Sequence, residues 1–214
     1  MSDELVFYTN PMSRGRMVRW MLEEVGEPYT TEIVDYGRAM KSGPYAAINP
    51  MGKVPALTHR GVTITETSAI CAYLADAYPK ANLAPALDDP ARGVYLRWMF
   101  FAAGPLESAV TNTTLGFQVP KERERMAGYG NLEKVLDVLE AAVDPVRNGG
   151  HDYLVGANFT AADVYLGSQL AFGLMFKTIE PRPVFLAYVG KIGSRPAAVR
   201  ARGMDDALAP MPAG

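Results

Sequence analysis

Asn49-Pro50-Met51-Gly52-Lys53-Val54-Pro55-Ala56-Leu57 is the stretch from which the fold becomes legible. Asn49-Pro50 and Gly52 are turn residues, and Val54 to Thr58 is an apolar run of strand length with a proline near its start. Such a proline lacks an amide donor, so it suits an edge, a bulge or a cis turn. A cis Val54–Pro55 bond would leave the Val54 amide and carbonyl facing outward, free to pair with a peptide as a neighbouring strand does. Taken alone, an ordinary trans proline opening a strand accounts for the motif as well.

Downstream, Val62 to Thr65 is another short strand, and only His59-Arg60-Gly61 separates it from the first, which predicts a tight hairpin. A helix follows from Glu66 to about Ala77, with Ile70, Tyr73 and Leu74 on one face and Pro79 beyond its end. Upstream, Leu5 to Tyr8 is a buried strand. Met17, Val18, Met21, Leu22 and Val25 then mark an amphipathic helix over 14–25, stopped by Gly26. Tyr29 to Val34 is a further strand, and 37–50 is expected to be irregular. The order is strand, helix, strand, irregular segment, hairpin, helix.

The stretch from Pro79 to Pro90 is rich in proline and small residues and reads as a linker. Beyond it, strand signals stop. Ala91 to Thr113 is helical with a bend expected at Gly104-Pro105. Tyr129, Leu132, Leu136, Leu139, Val143 and Val146 predict a core-facing helix over 121–146. Thr160-Ala161-Ala162-Asp163 is a capping-box variant, in which the Thr160 hydroxyl and the Asp163 carboxylate close the start of a helix. Shorter helices are expected over 184–192 and 197–208.

Composition narrows the function classes. The 214 residues are 49% hydrophobic and 21% charged, enough for a substantial core. A net charge of -2 favours neither nucleic acid nor an anionic membrane as partner. There is no apolar run of roughly 18 residues. With Asp3 and Glu4 at the N-terminus, no signal peptide is expected, and the chain reads as cytoplasmic. The single cysteine, Cys71, excludes an intrachain disulfide and reads as a small buried hydrophobe. The two histidines stand in no ligand-like spacing, so no metal is expected.

Two further segments carry chemistry beside the first. Glu66-Thr67-Ser68 opens a helix, where exposed amides and a hydroxyl suit a ligand carboxylate and the Glu66 carboxylate suits an ammonium. Simple capping by Thr65 or Thr67 is the alternative. The segment Tyr8-Thr9-Asn10-Pro11-Met12-Ser13-Arg14-Gly15-Arg16 is the loop between the first strand and the first helix, where a hydroxyl or amide donor can stabilise an anion. There too, Ser13 as a plain helix cap is the alternative.

In combination, the βαβ unit, GKVPAL, hairpin, ETSAI, linker and run of helices resemble the cytosolic glutathione transferases over the whole chain. NPMGKVPAL and ETSAICAYLADAYP are specific to that superfamily as a pair, and FTAADV matches the capping box of its second domain. A serine-type, theta-like bacterial branch is the nearest pattern. The resemblance implies an α/β plus all-α architecture. A thioredoxin-like glutathione-binding domain over 1–80 is followed by an all-helical domain over 90–214 that contributes the electrophile pocket. It also implies a homodimer with the active site near the subunit interface, with Met51 where related enzymes insert a residue into the partner.

Residue by residue, the resemblance gives Val54, beside cis Pro55, as the backbone partner of the cysteinyl unit. Glu66 would meet the γ-glutamyl ammonium and Thr67 its carboxylate, with Thr67 standing in for the commoner serine. Lys53 would reach a tripeptide carboxylate. The thiolate donor is expected to be Ser13, with Asn10 or Thr9 in reserve and Arg14 as an electrostatic helper; Tyr8, inside the strand, is expected to point away. The absence of a cysteine from this loop argues against thiol-transferase chemistry. Trp98, Phe101 and Phe117 are candidates for the electrophile pocket or for ordinary core. The activity implied is conjugation of glutathione to a small hydrophobic electrophile. The alternatives are a glutathione-dependent isomerase, dehalogenase or peroxidase, and a non-catalytic binding or regulatory protein on the same fold.

Overall fold

The computed structural model describes residues 4–209; Asp3 and the outermost ends of the two expected domains lie outside them. Four strands form one sheet in the order β2-β1-β3-β4, with β1 spanning Leu5–Thr9, β2 Thr30–Ile33, β3 Ala56–His59 and β4 Val62–Thr65. β1 and β2 are parallel, joined through helix α1 (Gly15–Val25), whereas β3 is antiparallel to both β1 and β4. This is the thioredoxin-like arrangement that the family resemblance implies.

Alternation along the strands sorts the sheet into two faces. Leu5, Phe7, Leu57 and His59 are buried on the face that packs α1 and α4 (Thr67–Ala77). Gly26 ends α1 in the left-handed region at φ 77°, and its amide donates to the Leu22 carbonyl at 2.9 Å. The hairpin turn is Arg60-Gly61, with φ 53° and 78°, the positive pair that a two-residue loop of matching twist requires.

Three expectations change in detail. The segment over 37–50 is not irregular throughout: it holds α2 (Arg38–Lys41) and α3 (Pro44–Ile48), each too short to show a hydrophobic period. They bring Met40 and Tyr45 onto the second sheet face, where they are buried with Val34 and Ala56, and Tyr8, Ile48 and Val54 pack around them. Second, β3 begins at Ala56, so Val54 and Pro55 precede the strand.

Third, the helix expected over 121–146 is broken. A 3-10 turn, Lys121–Met126, is followed by Gly128 and Gly130, and the α-helix begins only at Leu132, capped by the Asn131 side chain accepting from the Lys134 amide. Val146, placed on the core face by spacing, is 90% exposed.

By internal contacts, residues up to Ala81 group with those from Ser194 onward, and Asn82–Gly193 forms the other unit. The first unit thus includes the final helix, here α10 (Pro196–Leu208), which packs on α1. There, Arg19 and Asp205, both 1% exposed, form an ion pair at 2.7 Å. The other unit is helical: α5 (Ala91–Phe101), α6 (Glu107–Thr114), α7 (Leu132–Val143), α8 (Ala161–Met175) and α9 (Pro183–Gly193). Between α5 and α6 the expected disturbance at Gly104-Pro105 is a π-helical turn, Ala102–Leu106, which absorbs the missing proline donor without ending the helix.

The capping box forms at α8: Asp163 accepts from the Thr160 amide at 2.8 Å and from the Leu154 amide and Tyr188 hydroxyl at 2.9 and 2.7 Å. No helix among the described residues is long and apolar enough to cross a membrane.

Candidate active site

The register of the sheet brings the three sequence segments to one end of it. Ala56 pairs with Tyr8 on one side and Thr65 on the other. Its neighbour Pro55 therefore stands level with Thr9 and Glu66, the points where β1 runs into its loop and β4 into α4. The Val54–Pro55 bond is cis. Pro55 is buried, Val54 half-buried and Lys53 exposed. The Val54 backbone lies outside the β1–β3 ladder.

Glu66 occupies φ 65°, ψ 119°, a conformation rare for any residue with a Cβ, and its side chain is exposed. Such positions cost about 1–3 kcal/mol and cluster at ligand sites. No side chain caps α4 at this position. The self-capping alternative therefore loses its support, and the start of α4 presents Glu66 and the half-buried Thr67.

The loop after β1 is laced to its surroundings. Asn10, 7% exposed, donates through Nδ2 to the Val34 carbonyl at 3.1 Å and accepts the Met12 amide at 3.0 Å. The Ser13 hydroxyl donates to the Asn10 carbonyl at 2.7 Å and accepts the Gly15 amide at 2.9 Å. Gly15 is required here, because a Cβ would lie 1.9 Å from Thr9 Oγ1. Arg14 is exposed at the first turn of α1. Tyr8 faces the opposite way from Phe7, its ring 5.8 Å from that of Tyr45.

Two residues of the site carry no signal of their role in the sequence. Tyr45 Oη and Asn49 Nδ2 both donate to the Lys53 carbonyl, at 2.6 and 2.7 Å. Burial pushes the Tyr45 hydroxyl up to about 12, so it remains a donor through the neutral range. Asn49 was legible only as a turn residue, and Tyr45 lies in a helix too short to announce itself.

Among the aromatic candidates, Trp98 is core, 4% exposed with the Arg97 guanidinium 4.3 Å above its ring, whereas Phe117 is 67% exposed. No cluster of three or more metal-ligating side chains occurs among the described residues.

Residues 12–77 match the model of the glutathione S-transferase N-terminal domain. A glutathione S-transferase of Arabidopsis thaliana is 31% identical over 169 residues, covering 72% of this chain and 73% of that protein. The chain belongs to the glutathione S-transferase family. Glutathione S-transferase GstA of Escherichia coli O157:H7 is 29% identical to this transferase over 179 residues, 82% of its chain and 86% of the relative. A sphingomonad glutathione S-transferase solved in complex with glutathione superposes with a TM-score of 0.73 at 28% identity, covering 94% of the transferase and 98% of that chain. The matched 12–77 segment includes Ser13, Val54, Glu66 and Thr67 and begins after Asn10.

Proposed function

We propose that this transferase binds glutathione at the end of the sheet and conjugates it, as the thiolate, to a small hydrophobic electrophile. The observation that carries the reading is the meeting, at Ala56, of the Val54–Pro55 turn with the uncapped start of α4. In this reading Val54 pairs through its backbone with the cysteinyl unit. Thr67 and the α4 amides hold the γ-glutamyl carboxylate, Glu66 its ammonium, and Lys53 the far carboxylate.

Ser13 is the proposed thiolate donor. The Gly15 amide, at the positive end of α1, already donates into its oxygen, and a hydroxyl that accepts a hydrogen bond is a stronger donor. In the unliganded state its proton rests on the Asn10 carbonyl; on binding, the hydroxyl turns to the sulfur while keeping the Gly15 contact. Asn10 fixes the loop and Arg14 adds positive potential.

Lowering a thiol pKa from about 8.5 by ~2 units takes about 2.7 kcal/mol. A hydrogen bond to a charged sulfur supplies about 1.5–3 kcal/mol. The thiol proton leaves to solvent. The sulfur lone pair then forms the S–C bond, and the leaving group departs with the electrons of the bond it breaks. No covalent enzyme intermediate is needed.

Met51, 71% exposed on the turn before Lys53, supports assembly as a homodimer through this loop. Calorimetric titration tests the reading. Glutathione and its analogue with a methyl in place of the thiol bind wild type, and Thr67→Ala weakens both about ten-fold. Failure of wild type to bind at millimolar concentrations refutes the reading.

A further inference from the structure

We propose that Tyr45 and Asn49 are positioning residues for glutathione: together they fix the Lys53–Val54 peptide plane so that the Val54 amide faces the tripeptide. The proposal rests on the glutathione reading above and adds to it two residues that touch no substrate.

A peptide unit is a rigid plane, and in a trans unit the carbonyl and the amide hydrogen point in opposite directions. The Lys53–Val54 unit is trans, since among the described residues only Val54–Pro55 is cis. Its carbonyl, that of Lys53, receives the Tyr45 hydroxyl at 2.6 Å and the Asn49 side-chain amide at 2.7 Å. Both lone pairs of one loop carbonyl are taken by buried donors. The opposite edge of the same plane, the Val54 N–H, is thereby turned away from Tyr45 and Asn49.

The two donors are themselves held. Asn49 Oδ1 accepts the Met51 amide at 3.0 Å, which also sets the orientation of its side-chain amide. The Asn49 carbonyl accepts the Gly52 amide and its own amide donates to the Tyr45 carbonyl, both at 2.9 Å. The Tyr45 ring is buried with Val34, Met40 and Ala56, in the cluster on which the Val54 side chain also packs.

The sheet does not do this work, because Val54 precedes β3 and stands outside the strand pairing. An amide in a loop otherwise pays ordering entropy each time it captures a ligand; a plane already pinned at its carbonyl does not.

The test uses the full chain and S-methylglutathione, which lacks a titratable thiol and so does not depend on Ser13. Affinity is measured by calorimetry, and the Val54 amide is followed by NMR in labelled protein. The variants are Tyr45→Phe and Asn49→Asp; the second keeps the acceptor for the Met51 amide while removing the donor to Lys53. Each is expected to weaken binding about three- to ten-fold and to broaden or shift the Val54 amide resonance in the free protein. With glutathione, KM rises while kcat at saturation and the bound-thiol pKa stay at wild-type values.

Wild-type affinity in both variants, whatever happens to their melting temperatures, overturns the proposal. So does a parallel loss of affinity and of the thiol pKa shift, which reports a collapsed site. If Asn49→Asp does not fold, Tyr45→Phe alone decides. Absence of binding by wild type refutes the underlying glutathione reading, and that outcome is distinct from variants that bind like wild type.

Discussion

Ala56 pairs with Thr65 across β3 and β4, and this single register sets Pro55 level with Glu66. The two motifs that resemble ordinary turn and cap signals in isolation become one surface because the hairpin turn, Arg60-Gly61, admits no other alignment of the strands. Glu66 pays for its place in that surface with an unfavourable backbone conformation.

That cost is measurable. Glu66→Gly removes the Cβ conflict at φ 65°, offset in part by the entropy glycine brings to the unfolded chain. Net stabilisation of about 0.5–1 kcal/mol is expected in urea unfolding, together with weaker glutathione binding as the carboxylate is lost. A loss of stability would show that the conformation is not strained.

The Arg19–Asp205 pair ties α1 to α10 without solvent on either partner. Removing one member leaves a buried unpaired charge, so Asp205→Ala is expected to destabilise the protein by about 3–5 kcal/mol. The double replacement Arg19→Met with Asp205→Leu is expected to cost much less, because it buries no charge at all. Equal losses in the single and double variants, read from chemical denaturation, contradict this account.

Cys71 is fully buried in α4, and desolvation pushes its thiol up to about 12 from an ordinary value of 9.0. The native protein is therefore expected to resist thiol reagents at neutral pH and to react fully once unfolded. The folded pKa is the higher one, so the stabilising contribution is intact below pH 9 and is lost as pH rises toward 12, a loss of about 4 kcal/mol in all. Tyr29 and Tyr45, each pushed up to about 12 by burial, add to the alkaline destabilisation. Cys71→Ala is expected to lose about 1 kcal/mol at pH 7 yet to show a shallower decline in melting temperature above pH 9. An unchanged alkaline slope would remove Cys71 from the explanation.

Much of this molecule is legible in its sequence, and the failures share a cause. α1 and α4 are readable because apolar residues recur along one helical face, and β1 and the hairpin because short apolar or alternating runs are bounded by glycine or proline turn signals. The helix over 121–146 is over-extended because Tyr129 keeps the spacing, while Gly128, Gly130 and the Asn131 cap, which interrupt the helix, carry no hydrophobic signal. The helices α2 and α3 are hidden because four or five residues cannot display a period.

The same limit governs the site. Val54-Pro55 and Glu66-Thr67 are local motifs and can be read in order. The grip of Tyr45 on the Lys53 carbonyl is a side-chain contact to a backbone atom eight residues away, with no pattern in the sequence to announce it. Ser13 is legible as a hydroxyl at a helix entrance, but its simultaneous bonds to Asn10 and Gly15 appear only in three dimensions.

The capping box offers a further check on packing in the helical unit. Asp163 is fully buried and gathers donors from Leu154, Thr160 and Tyr188. Asp163→Ala strands these donors at once and is expected to cost about 3 kcal/mol or more, measured as a fall in the denaturation midpoint. A loss below about 1 kcal/mol would mean that the donors find water instead.

The most direct measurement of the account is the ultraviolet titration of the thiol of glutathione bound to the wild-type protein and to Ser13→Ala. The expected result is a bound thiol pKa about two units below that of free glutathione, returning most of the way to the free value in Ser13→Ala while binding is retained. Glutathione bound to wild type with an unshifted thiol pKa would contradict the account and leave a binding protein in place of an enzyme.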